Sequence, residues 1–129
     1  YYNIERPESY IKRVIDPTFE PNLFNPLSGE GGISPSFPAY PSGHSTFGAA
    51  SAEVIASIFG YSYSMTDNCH KNRTEFSGYP RTFNSFYEMA NEIAWSRVPL
   101  GVHFRMDAEE GMRYGTEIGR IVNRLPWKK

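Results

Sequence analysis

The sequence predicts an all-α helical bundle, and three observations carry that prediction. Apolar residues at helical spacing follow start signals at Ser42 and Ser85 and continue in the segment after Phe104. Small residues recur every four positions at Gly48, Ala52 and Ala56, and again at Gly111, Gly115 and Gly119, laying a smooth ridge along one side of a helix. No segment shows the period-two alternation of a half-buried strand.

The elements follow in order. Arg6-Pro7-Glu8-Ser9-Tyr10-Ile11 opens a helix with proline at its first position and an acid in the first turn. Between Asp16 and Pro41 lie six of the ten prolines together with Gly29, Gly31 and Gly32, so this stretch is a long irregular wrap. Loops of that length are uncommon unless they line a site. A helix is expected over Ser42 to Phe59, with Phe47, Val54, Ile55, Ile58 and Phe59 as its large apolar residues and Gly60 as its stop. Tyr61 to Arg81 reads as a second long loop. Ser85-Phe86-Tyr87-Glu88 has the form of a capping box opening a helix that runs to about Arg97. Pro99 and Gly101 break it, and a last helix runs from about Phe104 to Arg124. Its glycine ridge has the spacing of a membrane dimer motif, but Asp107, Glu109, Glu110, Arg113 and Arg120 make it a water-soluble packing surface.

A chain of 129 residues provides for one domain with its own core, and 40% apolar with 21% charged residues fits a folded protein. The net charge of -1 gives no global field to attract nucleic acid or an anionic membrane, so an anion site must be a local cluster of positive charge. No run of apolar residues is long enough for a membrane span. The single cysteine, Cys69, excludes an internal disulfide and suggests a buried or inert thiol. The chain opens at Tyr1 with no charged-then-apolar leader, which leaves the compartment open.

Two segments carry chemistry. In Phe37-Pro38-Ala39-Tyr40-Pro41-Ser42-Gly43-His44, Pro41 keeps the incoming chain out of the helix and Ser42 is a good N-cap. Gly43 lets a ligand approach the backbone, and the free N–H groups of the first turn make an anion site. By itself this segment also reads as a capping serine beside a surface histidine. In Ser96-Arg97-Val98-Pro99-Leu100-Gly101-Val102-His103-Phe104-Arg105-Met106-Asp107, the Pro-Gly corner folds Arg97 and His103 toward one point. Asp107 lies four residues after His103, where its carboxylate can hold one imidazole tautomer. An ordinary helix corner with a surface ion pair is the competing reading.

Together, Pro-Ser-Gly-His followed by Ser-Arg, five residues, His, three residues and Asp resembles the signature of the acid phosphatase and vanadium haloperoxidase superfamily. Arg6-Pro7 matches the second half of that superfamily's first motif, and the resemblance runs from Arg6 to about Arg120. The motif's lysine would fall before Tyr1, so the expectation is that a missing N-terminal segment or chain supplies it and packs on the small-residue ridges. Residues 1–129 would then be the C-terminal part of a single vanadium haloperoxidase or type 2 phosphatidic acid phosphatase-like domain. Phe-Pro-Ala-Tyr-Pro-Ser-Gly-His is most similar to the chloroperoxidase version, in which Phe37 would sit beside the halide pocket.

The resemblance implies a vanadate cofactor, for which phosphate or sulfate can substitute, and hydrogen peroxide and halide as substrates. Arg6 and Arg97 would each grip its oxygens by paired hydrogen bonds, with Ser42 and the Gly43 N–H completing the cage. His103 would be the axial vanadium ligand, and His44 an acid–base group, neutral near pH 7. The alternative on the same scaffold is a phosphatase that acts on a phosphate ester through a phosphohistidine at His103. A third reading is a non-catalytic oxyanion-binding helical module. Elsewhere, Asp67, Asn68, Cys69 and His70 fit no zinc or calcium spacing and read as a solvated loop. The aromatic residues Phe76, Tyr79, Phe83, Phe86 and Tyr87 line either a substrate mouth or the core.

Overall fold

The computed structural model describes residues 4–23, 29, 35–74 and 78–127. Helix α1 covers Pro7–Tyr10 and runs into a π-helical turn at Ile11–Ile15. Helix α2 spans Gly43–Phe59, α3 Phe86–Ser96 and α4 Arg105–Asn123. The all-α reading is correct with one addition: the stretch read as a second loop holds a two-stranded antiparallel hairpin. In it β1 (Met65–Asp67) pairs with β2 (Arg81–Phe83), Thr66 facing Thr82 with their hydroxyls 2.9 Å apart.

Each long helix begins where its capping chemistry places it. Ser42 Oγ accepts from the Ser45 N–H at 3.3 Å and Ser85 Oγ from the Glu88 N–H at 3.0 Å. The Glu88 carboxylate reaches back one residue further than a standard capping box, to the Asn84 N–H. Gly60, at φ +102°, ends α2 in a conformation that side-chain-bearing residues rarely adopt.

The core is built from small side chains. Ala39, Ala49, Ala52, Ala56, Ala90, Ala94 and Ala108 are buried, joined by Val102 and Phe83. Burial of alanine removes little apolar area, so the helices cohere by approaching closely and packing backbone against backbone. The glycines of α4 set that distance. A Cβ added at Gly111 would lie 2.7 Å from the Ser42 carbonyl oxygen, at Gly115 2.1 Å from that of Thr46, and at Gly119 2.6 Å from Glu53 Cβ. Gly48 faces Ala90 of α3. The ridges expected to await a preceding segment are therefore already packed, α2 on both α3 and α4.

The large apolar residues of α2 point away from this core. Phe47 is 76% exposed and Ile58 70%, with Ile55 also at the surface. Inside, α2 carries a buried carboxylate, Glu53, which accepts hydrogen bonds from the Tyr61 and Tyr87 hydroxyls and lies 3.8 Å from Arg120. These partners compensate a charge that burial would otherwise make costly. The two tyrosine rings stack, and Phe86 stacks on Tyr63. Of the aromatic residues left undecided, Phe83 is core, Tyr79 is exposed, and Phe76 lies outside the described residues. Cys69 is exposed rather than buried, and its thiol bonds to the Asp67 carboxylate, which raises its pKa and keeps it protonated.

Candidate functional site

Three segments converge beside the start of α2. The Ser42 N–H donates to the Asp107 carbonyl at 3.0 Å, joining the head of α2 to the first turn of α4. Arg6, almost fully buried just before α1, donates from Nη1 to the Val102 carbonyl at 2.7 Å, beside His103. The Glu8 N–H bonds to the Gly101 carbonyl at 2.9 Å, and Gly101 at φ +73° makes the corner that separates Arg97 from His103. Arg97 is the C-cap residue that follows α3, with its Nε buried and without a hydrogen-bond partner among the described residues.

Electrostatics report the same convergence. The Arg97 guanidinium has its pKa lowered by burial first and by Arg6 second. His103 is lowered by burial, then by Arg6 and Arg97, with Asp107 pulling it upward. His44, in the first turn of α2, is lowered by desolvation and then by Arg97, although it is exposed to solvent. Four groups able to carry positive charge thus crowd one corner. No carboxylate offsets the charge of Arg97 among the described residues.

Asp107 is fully buried, and its Oδ2 accepts the Phe104 N–H at 2.8 Å, capping α4. The same oxygen lies 3.4 Å from His103 Nδ1, but off the hydrogen-bond direction, so the pair is an electrostatic contact and not a bond. His103 precedes the helix instead of lying on it, and Asp107 reaches it from the third helical position. With Nδ1 turned to Asp107, Nε2 occupies the opposite edge of the ring.

Two of the sequence-predicted groups have work inside the protein as well. Ser42 is buried, and its hydroxyl oxygen caps α2, leaving the hydroxyl proton to donate. Arg6 uses three of its five N–H donors on the carbonyls of Pro35, Val102 and Phe37, and its Cζ lies 5.2 Å from the Phe37 ring centroid. It is a staple across the irregular wrap, with two N–H groups not used among the described residues. Phe37 is mostly exposed above it. At Gly43 a Cβ would meet nothing within 4 Å, so the face of the first turn is open. The reading of the residues missed Glu8, a buried carboxylate whose pKa burial raises against the opposing pull of Arg6 and Lys12. Only its place two residues after Arg6 hinted at it.

An oxyanion fits this donor set. Among the described residues Arg97 Nε has no partner, and the Gly43 and His44 amides are ones that a helix cannot satisfy itself. Among the described residues no group of three His, Cys, Asp or Glu side chains could hold a metal ion. An oxyanion held by Arg, Ser, amide and one His requires no such group.

The family model for the VCPO second helical-bundle domain matches residues 1–126. The chain belongs to that family. It is 31% identical over 94 residues to the vanadium-dependent bromoperoxidase of Ascophyllum nodosum, across 66% of this chain and 17% of that protein. A crystal structure described as the first bacterial vanadium-dependent iodoperoxidase aligns with a TM-score of 0.75 and 34% identity, covering 93% of this chain and 26% of that one. The chain is therefore a vanadium haloperoxidase-like helical domain that spans about a quarter or less of these relatives. No described helix is long and apolar enough to cross a membrane.

Proposed function

We propose that this domain holds vanadate for the oxidation of halide by hydrogen peroxide to hypohalite. The observation that carries the reading is the convergence of Arg6, Arg97, His103 and the open first turn of α2, with Arg97 Nε buried and unpaired among the described residues. Arg97 and the two remaining N–H groups of Arg6 would bind equatorial oxygens, with the Ser42 hydroxyl and Gly43 N–H beside them. His103 would bind vanadium through Nε2, kept neutral by burial and by the neighbouring arginines and oriented by Asp107. Bound vanadate, at oxidation state +5, would supply Lewis acidity toward peroxide.

The chain's own residues account for the rest. His44, held neutral by desolvation and by Arg97, would take a proton from peroxide as it enters and return one to the departing oxygen. Arg6 holds the Phe37 backbone, and that aromatic ring would form a wall for halide beside a bound anion. The lysine of the first superfamily motif would come from a segment preceding Tyr1.

The test is peroxide-dependent oxidation of chloride, bromide and iodide by the complete protein, with and without added vanadate, alongside phosphate ester hydrolysis. Vanadate-dependent halide oxidation that Arg97→Ala removes supports the reading. Phosphatase activity without halide oxidation overturns it.

A further inference from the structure

We infer that Tyr61 is a modification site for electrophilic halogen, its ring substituted by hypohalous acid with the Glu53 carboxylate as the base. Tyr61 follows the Gly60 stop of α2 and is 56% exposed, so its ring is open to a solute. Its hydroxyl donates to Glu53 Oε1 at 2.8 Å, and that carboxylate is almost fully buried. The Tyr87 hydroxyl donates to the other oxygen and Arg120 Nε lies 3.8 Å from Oε1, so the acid is held in one place. Tyr87 stacks against the Tyr61 ring but is itself half-buried. Tyr63 and Tyr79 are exposed too, yet neither hydroxyl meets a carboxylate among the described residues.

Electrophilic halogen attacks a phenol at a ring carbon beside the one that bears the hydroxyl. As the carbon–bromine bond forms, the bromine–oxygen bond of hypobromous acid breaks and hydroxide leaves. The phenol proton passes to Glu53 in that step, which spares the ring a positive charge. The substituted carbon then gives its proton to hydroxide, making water, and Glu53 returns the first proton to the phenol oxygen. The ring is oxidised by two electrons and the bromine reduced by two. The hydrogen bond to Glu53 also raises the Tyr61 pKa, so the phenol gives up its proton within the step and not beforehand. An unassisted tyrosine reacts mostly as the phenolate. That the hypohalous acid comes from the domain itself rests on the proposed haloperoxidase function; the reactivity of Tyr61 does not.

The experiment treats the complete protein with graded hypobromous acid and counts bromotyrosine residue by residue, by peptide mass spectrometry. At about pH 6 the expected bromination of Tyr61 is at least about fivefold that of Tyr79, although Tyr79 is the more exposed at 79%. From about pH 6 to about pH 8 this ratio should fall at least about tenfold, because the phenolate of an unassisted tyrosine grows about tenfold per pH unit. Glu53→Gln keeps an acceptor for the hydroxyls but removes the base, and should bring Tyr61 down to the level of Tyr79. Should that variant fail to fold, the pH dependence of the parent decides. Bromination of Tyr61 no faster than that of Tyr79, a ratio unchanged with pH, or a preference that survives Glu53→Gln overturns the inference. A second arm replaces the reagent with vanadate, hydrogen peroxide and bromide. Tyr61 brominated by the reagent but not in turnover upholds the site and counts against the haloperoxidase function.

Discussion

Helices α2 and α4 meet along the same glycine and alanine surface, yet they differ at both their starts and their outer faces. The outer face of α4 is a ladder of ion pairs, Arg105 with Glu109 at 2.7 Å and Arg113 with Glu110 and Glu117 at 2.6 Å, exposed except for the half-buried Glu110. The outer face of α2 is Phe47, Ile55 and Ile58. The start of α4 is closed by its own acid, Asp107, on the Phe104 N–H. The start of α2 is capped by a neutral serine, has no acid in its first turn, and faces arginine and histidine. The contrast separates two jobs that one packing surface serves. Helix α4 is finished, satisfying its own charge and meeting water. Helix α2 is unfinished at both places, with a start suited to an anion and an apolar outer face.

The largest effect should come from breaking the shared surface. Gly115→Leu puts atoms where the Thr46 carbonyl already lies, and should cost about 3 kcal/mol or more, read by chemical denaturation. Glu117→Ala, on the outward face of the same helix, should change stability by no more than about 0.5 kcal/mol. Comparable losses for the two would erase the distinction between the faces of α4.

Removing the acid that closes α4 comes next. Asp107→Ala strands the Phe104 N–H and should cost about 1–3 kcal/mol. It should also move the His103 pKa further down, because Asp107 is the group that pulls it upward. Nuclear magnetic resonance titration of the imidazole checks the direction, and a rise would contradict the arrangement.

The start of α2 allows a cleaner separation of binding from stability. Gly43→Ala meets no protein atom and removes a flexible residue from a helix, so stability should hold or rise by up to about 1 kcal/mol. Vanadate affinity should nevertheless fall, since the new methyl occupies the open face. A variant that binds vanadate as tightly as the parent would show that the anion does not rest on this turn.

The smallest effect is a pH dependence. His44 and His103 both have folded-state pKa values below the ordinary 6.5, so the folded protein binds their protons more weakly than the unfolded chain. Their contribution favours folding fully above about 6.5 and is lost as pH falls through that value toward the lowered ones. His103→Gln should flatten the decline in thermal midpoint across that window. His44→Gln should flatten it less, because His44 is the more exposed.

Much of this was legible from residue order. Ser42, Gly60, Ser85 and the Pro99–Gly101 break mark the helix ends because caps and turns are local chemistry, decided within a few residues. The association of Arg97 with His103 is likewise local, set by one corner. What escaped was relational. The ridges at Gly48 and Gly111 announce close packing without saying on what, and they proved to serve contacts within the domain. Three-residue strands are too short to show alternation, so Met65–Asp67 could not be told from loop. Arg6 could be read as a ligand for an anion, but its bonds to three carbonyls as far as 96 residues away have no trace in its neighbours.

The bond from Ser42 N–H to Asp107 C=O acts as a dovetail between the two halves of the candidate site. Beneath it Gly111 leaves only enough room for the Ser42 carbonyl, so a single methyl there would wedge the halves apart without altering any group that could touch an anion. The geometry of the candidate site can therefore be altered from behind, by residues with no chemistry of their own. A survey that ranked positions by reactive side chains would pass over Gly111, although it governs how far Ser42 stands from His103. Sequence drift in the ridge would reshape the candidate site as surely as drift in the motif.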